Sequence, residues 1–239
     1  MLSSTHDGAS NADSVLRIMS YNIRNGLGMD DKTDLERIAE VINRISPDIV
    51  AVQEVDSVTN RSRQMDILKE IAGFTGNYHV FCAAIGFDGG KYGIGILSKE
   101  EPLAFQCYSL PGREEARALL VVEFDYYLVG CVHFSLNHED RLSSIDSINR
   151  IAAKQAKPFF LAGDFNVLPD SPEINRLTEQ WNVLTDNRAP TFPADDPEET
   201  LDYIFVYRRD EFLYSVLQKE VINEPVASDH LPVFVDIRF

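Results

Sequence analysis

The chain has 239 residues, 44% hydrophobic and 25% charged, proportions of a folded globular protein that exclude a collagen-like, low-complexity or largely disordered one. Its 22 Lys and Arg against 38 Asp and Glu leave a net charge of −16, a field that repels polyanions at long range and argues against tight nucleic-acid binding. A carboxylate cluster around a bound cation is the exception, because the ion reverses the sign locally.

The opening 1–14, MLSSTHDGASNADS, is polar and lacks the apolar core of a secretory signal, so it reads as a disordered or linker-like segment. A cytoplasmic chain fits, and so does an exported one whose leader has been removed. Residues 15–239 read as a single domain, and no run approaches the ~18 apolar residues of a membrane span. VLRIMSYN (15–22) alternates apolar and polar residues as a strand does. Thr33 and Glu36 have capping-box spacing ahead of Leu35, Ile38, Ala39, Ile42 and Ile45, which predicts an amphipathic helix ended by Pro47. DIVAVQE follows as a short apolar strand that delivers Gln53 and Glu54 at its end.

Residues 63–74 predict a second helix, with Met65, Leu68, Ile71 and Ala72 on one face. Segments 78–85, 92–98, 103–109, 116–124 and 127–134 read as the strands of a meander. A helix over 139–156 carries Leu142, Ile145, Ile148, Ile151 and Ala152 on its apolar stripe, and the strand PFFLAGDFN comes next. A short helix runs from Pro172 toward Trp181, and strands near 202–207, 216–222 and 231–238 complete the chain. So many strands with so few helices predict an α/β fold of four layers, two packed mixed β-sheets flanked by helices. Cys82, Cys107 and Cys131 are odd in number and lie in apolar runs, which predicts buried small hydrophobes rather than a disulfide scaffold.

Polar residues fall where these strands end: Asn22, Glu54, His133, Asp164 with Asn166, Asp202, and Asp229 with His230. Groups held on rigid strand ends can meet in one cleft with the accuracy that catalysis needs. Glu54 is a hard oxygen ligand of the kind Mg²⁺ prefers. Asn22 suits either a turn or a metal or phosphate contact. Asp164 and Asn166 are two apart, so on extended chain both side chains address the same side; as an Asx turn they would not. The aspartate can orient or deprotonate a water, and the amide can donate to a phosphoryl oxygen without adding charge. Arg117 offers a fork for a phosphate or for a surface ion pair, and Tyr92 either lines a cleft or packs in a strand.

These motifs together, Tyr21-Asn22, Gln53-Glu54, His133, Gly163-Asp164-Phe165-Asn166 and Ser228-Asp229-His230, resemble the endonuclease/exonuclease/phosphatase family of metal-dependent phosphohydrolases. The resemblance runs from Asn22 to His230 and implies the DNase I-like sandwich. It implies Asn22, Glu54 and Asp229 at a Mg²⁺ site that Mn²⁺ can also fill, and His133, Asp164, Asn166, Asp202 and His230 as the catalytic set. Asp202 is expected to hydrogen-bond His230, with Arg117 and Tyr92 on the substrate. The implied reaction is in-line attack of water on a phosphate ester.

Loops set the substrate in such a family. The basic pairs Arg61/Arg63, Arg113/Arg117 and Arg208/Arg209 lack the interleaved aromatics of a nucleic-acid track. A phosphodiesterase or phosphatase for a small or lipid-derived ester is the leading expectation. A low-affinity nuclease and a non-catalytic phosphate-binding protein on the same fold are the alternatives. These motifs leave oligomeric state open.

Overall fold

The computed structural model describes residues 15–239, so the linker-like opening 1–14 lies outside the described residues. In chain order the elements are β1 (Val15–Asn22), α1 (Leu35–Ile45), β2 (Ile49–Ser57), α2 (Ile67–Thr75), β3 (Tyr78–Phe87), β4 (Gly90–Ser98), β5 (Ala104–Leu110) and β6 (Arg117–Glu123). There follow β7 (Leu128–His133), α3 (His138–Ala152), β8 (Phe159–Asp164), α4 (Pro172–Thr178), β9 (Trp181–Val183), β10 (Asp202–Tyr207), β11 (Ser215–Val221) and β12 (Val233–Arg238). Two six-stranded mixed sheets result, ordered β11-β12-β1-β2-β4-β3 and β5-β6-β7-β8-β10-β9. This is the four-layer α/β sandwich expected from the strand-rich sequence.

Strand periodicity builds the layers. Along β1, Leu16 and Ile18 point between the sheets, where they meet Ala51, Ile96, Leu120, Val129, Phe160 and Ile204. The alternate residues Met19 and Tyr21 point outward and pack under Ile38 and Ile42 of α1 and Leu68 of α2. In the second sheet Leu161 and Phe159 turn outward to Ile145 and Ile148 of α3 and Leu177 of α4. Most strands are therefore covered on both faces, which is why their sequences are near-continuous apolar runs. Each large side chain so buried stabilises the fold by about 1.5–3 kcal/mol relative to exposure.

Four local expectations are corrected. Thr33 is held in a β-bridge with Leu27, so α1 is capped one residue later by Asp34, whose side chain accepts from the Arg37 N–H at 3.0 Å. The second helix starts only at Ile67: Arg63 and Gln64 take left-handed φ values of 55° and 62°, and Asp66 is its cap. The three-residue strand β9 was not anticipated, and it is defined by its pairing with β10 rather than by a pattern of its own. Cys82 and Cys107, read as unpaired, form a disulfide with Cα atoms 5.9 Å apart, while Cys131 is buried and free. The pair joins β3 to β5, the outer strands of the two sheets, and only the stacking of the sheets brings them together.

The topology places the site. β1 and β2 run parallel, joined over the outer face by α1, and β7 and β8 run parallel, joined by α3. Across the interior β1 faces β8 and β2 faces β7. The C-terminal ends of β1, β7 and β8 thus meet at one rim of the sandwich with Asn22, His133 and Asp164. Glu54 joins them from a bulge within β2, which runs on to Ser57 rather than ending at Glu54 as the sequence predicts.

Candidate active site

Asp164 ends β8 at the centre of this rim. It lies level with His133 on parallel β7 and with Asp202 on antiparallel β10. Its Oδ2 accepts from Asn22 Nδ2 at 3.1 Å, and the same amide nitrogen is 3.1 Å from Glu54 Oε1. Asn22 thereby links the two sheets. Ser228 fixes that asparagine from behind by donating to its backbone carbonyl at 2.7 Å.

Two imidazoles face the same carboxylate oxygen. His133 Nε2 is 3.6 Å and His230 Nε2 3.7 Å from Asp164 Oδ2. The inner nitrogen of His230, Nδ1, bonds Asp202 Oδ2 at 2.9 Å, the pairing that the resemblance implied. Thr191 Oγ1 donates to that oxygen at 2.6 Å, and the Phe192 ring lies 4.8 Å from the imidazole between centroids. Burial works against charge on His230, but the Asp202 and Asp164 carboxylates outweigh it and push the group up to about 10. His133 goes the other way. Burial pulls it down to about 4, with the Arg117 and His230 cations adding to burial and Asp164 opposing.

Glu54 owes its direction to the backbone. Between Val52 and Val55 the pairing of β2 with β4 shifts by a bulge, and Glu54 sits there at a φ of 59°. A bulge re-aims a side chain, and a left-handed glutamate is held only where the surroundings enforce it. Its carboxyl is raised by burial first and by the charges of Asp229 and Asp164, against the hydrogen bond from Asn22. Asp229 is half-buried, 3.4 Å from Arg24 Nε. Arg24 itself follows Asn22 in a tight turn with a φ of 46°.

Asn166 departs from the extended geometry expected for Gly163-Asp164-Phe165-Asn166. Its φ is 52°, its backbone N–H donates to Asp164 Oδ1 at 2.9 Å, and its side-chain amide donates to the Phe134 carbonyl at 2.9 Å. The Asx turn wins because it satisfies an otherwise unpaired N–H. Arg117 is buried rather than offered to solvent, with Nη1 3.0 Å from Glu115 and 3.4 Å from His133 Nδ1. Tyr92 is buried on β4 beneath the Arg61 guanidinium, and burial and Glu54 push its phenol up. Sequence reasoning missed Arg24 and Thr191 as members of this cluster. Arg24 stands two residues from Asn22, but nothing local marks Thr191, whose role comes from a contact with Asp202.

A two-sheet sandwich with carboxylates, amides and imidazoles gathered at one end of its strands is the architecture of the DNase I-like hydrolases. The chain belongs to the endonuclease/exonuclease/phosphatase family, whose sequence profile matches residues 19–230. Similar folds include an endonuclease/exonuclease/phosphatase family protein from Leptotrichia buccalis (TM-score 0.77, 19% identity, 94% of this chain and 100% of that one). A mannosyl-6-phosphatase from Bacteroides thetaiotaomicron superposes with a TM-score of 0.74 at 18% identity, over 94% of this chain and 100% of that one. In sequence, a cytolethal distending toxin homolog from Salmonella typhi is 39% identical over 75 residues, 31% of this chain but only 27% of that relative's length. Among the described residues no helix is long and apolar enough to cross a membrane.

Proposed function

We propose that this chain is a divalent-metal-dependent hydrolase of phosphate esters that uses water as the nucleophile. One observation carries the reading: a single oxygen of Asp164 lies within 3.7 Å of the Nε2 atoms of two histidines while Asn22 ties it to Glu54. Such an oxygen can take a proton from water beside two donors aimed at the same small volume.

The donor set fits a hard cation. Glu54 lies buried beside Asp229 and Asp164, so that burial first and their negative charges second raise its carboxyl, and among the described residues Arg24 is the cation paired with Asp229. Glu54 and Asp229, with Asn22 alongside, are the residues to hold Mg²⁺ or Mn²⁺. A bound divalent ion neutralises phosphate charge and stabilises a leaving oxygen. Asp164 orients the water and accepts its proton. His230, kept cationic by Asp202, holds the charge that grows on the phosphoryl oxygens, and His133 donates a second hydrogen bond there. Asn166 shapes the turn that fixes Asp164.

A small or lipid-derived ester suits the net charge of −16 better than a polyanion does. Turnover of bis-p-nitrophenyl phosphate or of its monoester is expected to require Mg²⁺ or Mn²⁺ and to fall at least ~10²-fold in Asp164→Asn and His230→Ala. Turnover that survives chelation and both substitutions overturns the reading. Comparing diester, monoester, plasmid DNA and sphingomyelin on one preparation identifies the substrate class.

A further inference from the structure

The two histidines in front of Asp164 have opposite partners behind them. His230 Nδ1 faces a carboxylate at 2.9 Å, whereas His133 Nδ1 faces Arg117 Nη1 at 3.4 Å. A guanidinium carries five N–H donors, no acceptor, and a charge that persists at every working pH. The contact is a hydrogen bond only if His133 Nδ1 presents a lone pair, which leaves the ring's one proton on Nε2. A doubly protonated ring would set N–H against N–H and one cation against another.

Arg117 is not free to turn away. Its side chain is 8% exposed, with Nη1 3.0 Å from Glu115 Oε1 and Nη2 3.4 Å from Glu114 Oε1. Glu114 is pinned in turn by Ser135 Oγ at 2.9 Å and the Leu136 N–H at 2.8 Å, both just beyond His133. The frame therefore closes from the loop before β6, through the guanidinium, to the loop after β7.

We propose that Arg117 is a positioning residue that holds His133 as the neutral Nε2–H tautomer, so that His133 donates into the site without titrating. Its catalytic consequence rests on the hydrolytic reading above; the tautomer itself rests on the arginine contact. The groups facing the ring are Arg117 from β6, Glu114 ahead of it, Asp164 from β8 and His230 from the segment before β12. The two cations and burial oppose protonation, and the two carboxylates favour it. One histidine thus brings a positive charge to the reaction and the other brings only a dipole, with no proton transferred at His133.

The test is long-range ¹H–¹⁵N spectroscopy of the full chain labelled with [¹⁵N]histidine, from pH 5.5 to 9, with the His133 signals assigned by their loss in His133→Gln. The expected result is an Nε2–H pattern that does not change across the range. In Arg117→Met a mixture of tautomers and a titration inside the range are expected. Arg117→Lys, held in reserve should the apolar variant not fold, retains Nε2–H because an ammonium also only donates. An imidazolium or Nδ1–H form at pH 7 in the unsubstituted chain or in Arg117→Lys overturns the proposal, as does an unchanged spectrum in Arg117→Met. In turnover, Arg117→Met is expected to lower kcat about tenfold with KM within about twofold. A raised KM at unchanged kcat would assign Arg117 to the substrate instead. The spectra need no substrate, so an inactive chain leaves this proposal standing. A wrong tautomer, conversely, leaves the dependence on Asp164 and His230 standing.

Discussion

At the scale of single residues, the proposed chemistry turns on what stands behind each imidazole. Asp202 contributes an ionised oxygen to His230 Nδ1 and is itself oriented by Thr191. Asp202→Asn keeps the size of the side chain but removes the charge that holds His230 as a cation. It is expected to lower kcat at pH 7 by ~10²–10⁴-fold with an unchanged circular dichroism spectrum. The same pair sets a pH dependence of stability. His230 is raised from 6.5 to about 10, so the folded state binds its proton more tightly than the unfolded chain does. That stabilisation is complete below pH 6.5 and is lost as pH rises through about 10. In chelator, the thermal midpoint should therefore fall over this window more steeply than in His230→Gln, and parallel curves for the two proteins would contradict the assignment.

At the scale of elements, close packing of strands governs the distances in the site. Gly163 precedes Asp164 on β8, and a Cβ there would come within 2.1 Å of the Val132 carbonyl oxygen on β7. The contact is with backbone, so nothing can swing aside. Gly163→Ala must spread β7 from β8 and separate Asp164 from His133. A loss of about 1–3 kcal/mol in denaturant unfolding is expected, with a fall in kcat larger than that loss of folded protein explains. An active variant of normal stability would count against this account. The glycine of Gly163-Asp164-Phe165-Asn166 is thus a packing requirement that places the aspartate. The bulge in β2 is the corresponding device for Glu54, re-aiming its carboxyl so that Oε1 lies 3.1 Å from Asn22 Nδ2.

At the scale of the whole molecule, two stacked sheets must keep their rims in register. The Cys82–Cys107 disulfide ties their outer strands across a sequence separation of 25, a loop for which chain entropy predicts about 3.5 kcal/mol of stabilisation. Urea unfolding with and without reductant should differ by that order, and thiol titration of the native protein should find Cys131 unreactive until it unfolds. Equal unfolding midpoints would show that the disulfide constrains nothing.

The sequence by itself determined the order of strands and helices apart from β9, the helices over the outer faces of two packed sheets, and the residue types near the strand ends, because apolar runs and helical spacing record locally which faces are covered. It also contained the family's motifs in order. The tertiary structure alone decided the partners. Asn22 and Asp164 are 142 residues apart and bond through the stacking of β1 on β8. Cys82 meets Cys107 through the same stacking, Arg117 lies behind His133 through the pairing of β6 with β7, and Asn166 leaves the extended path to close a turn on Asp164. No local pattern records such distances, since they depend on strand register and sheet packing summed over the whole chain.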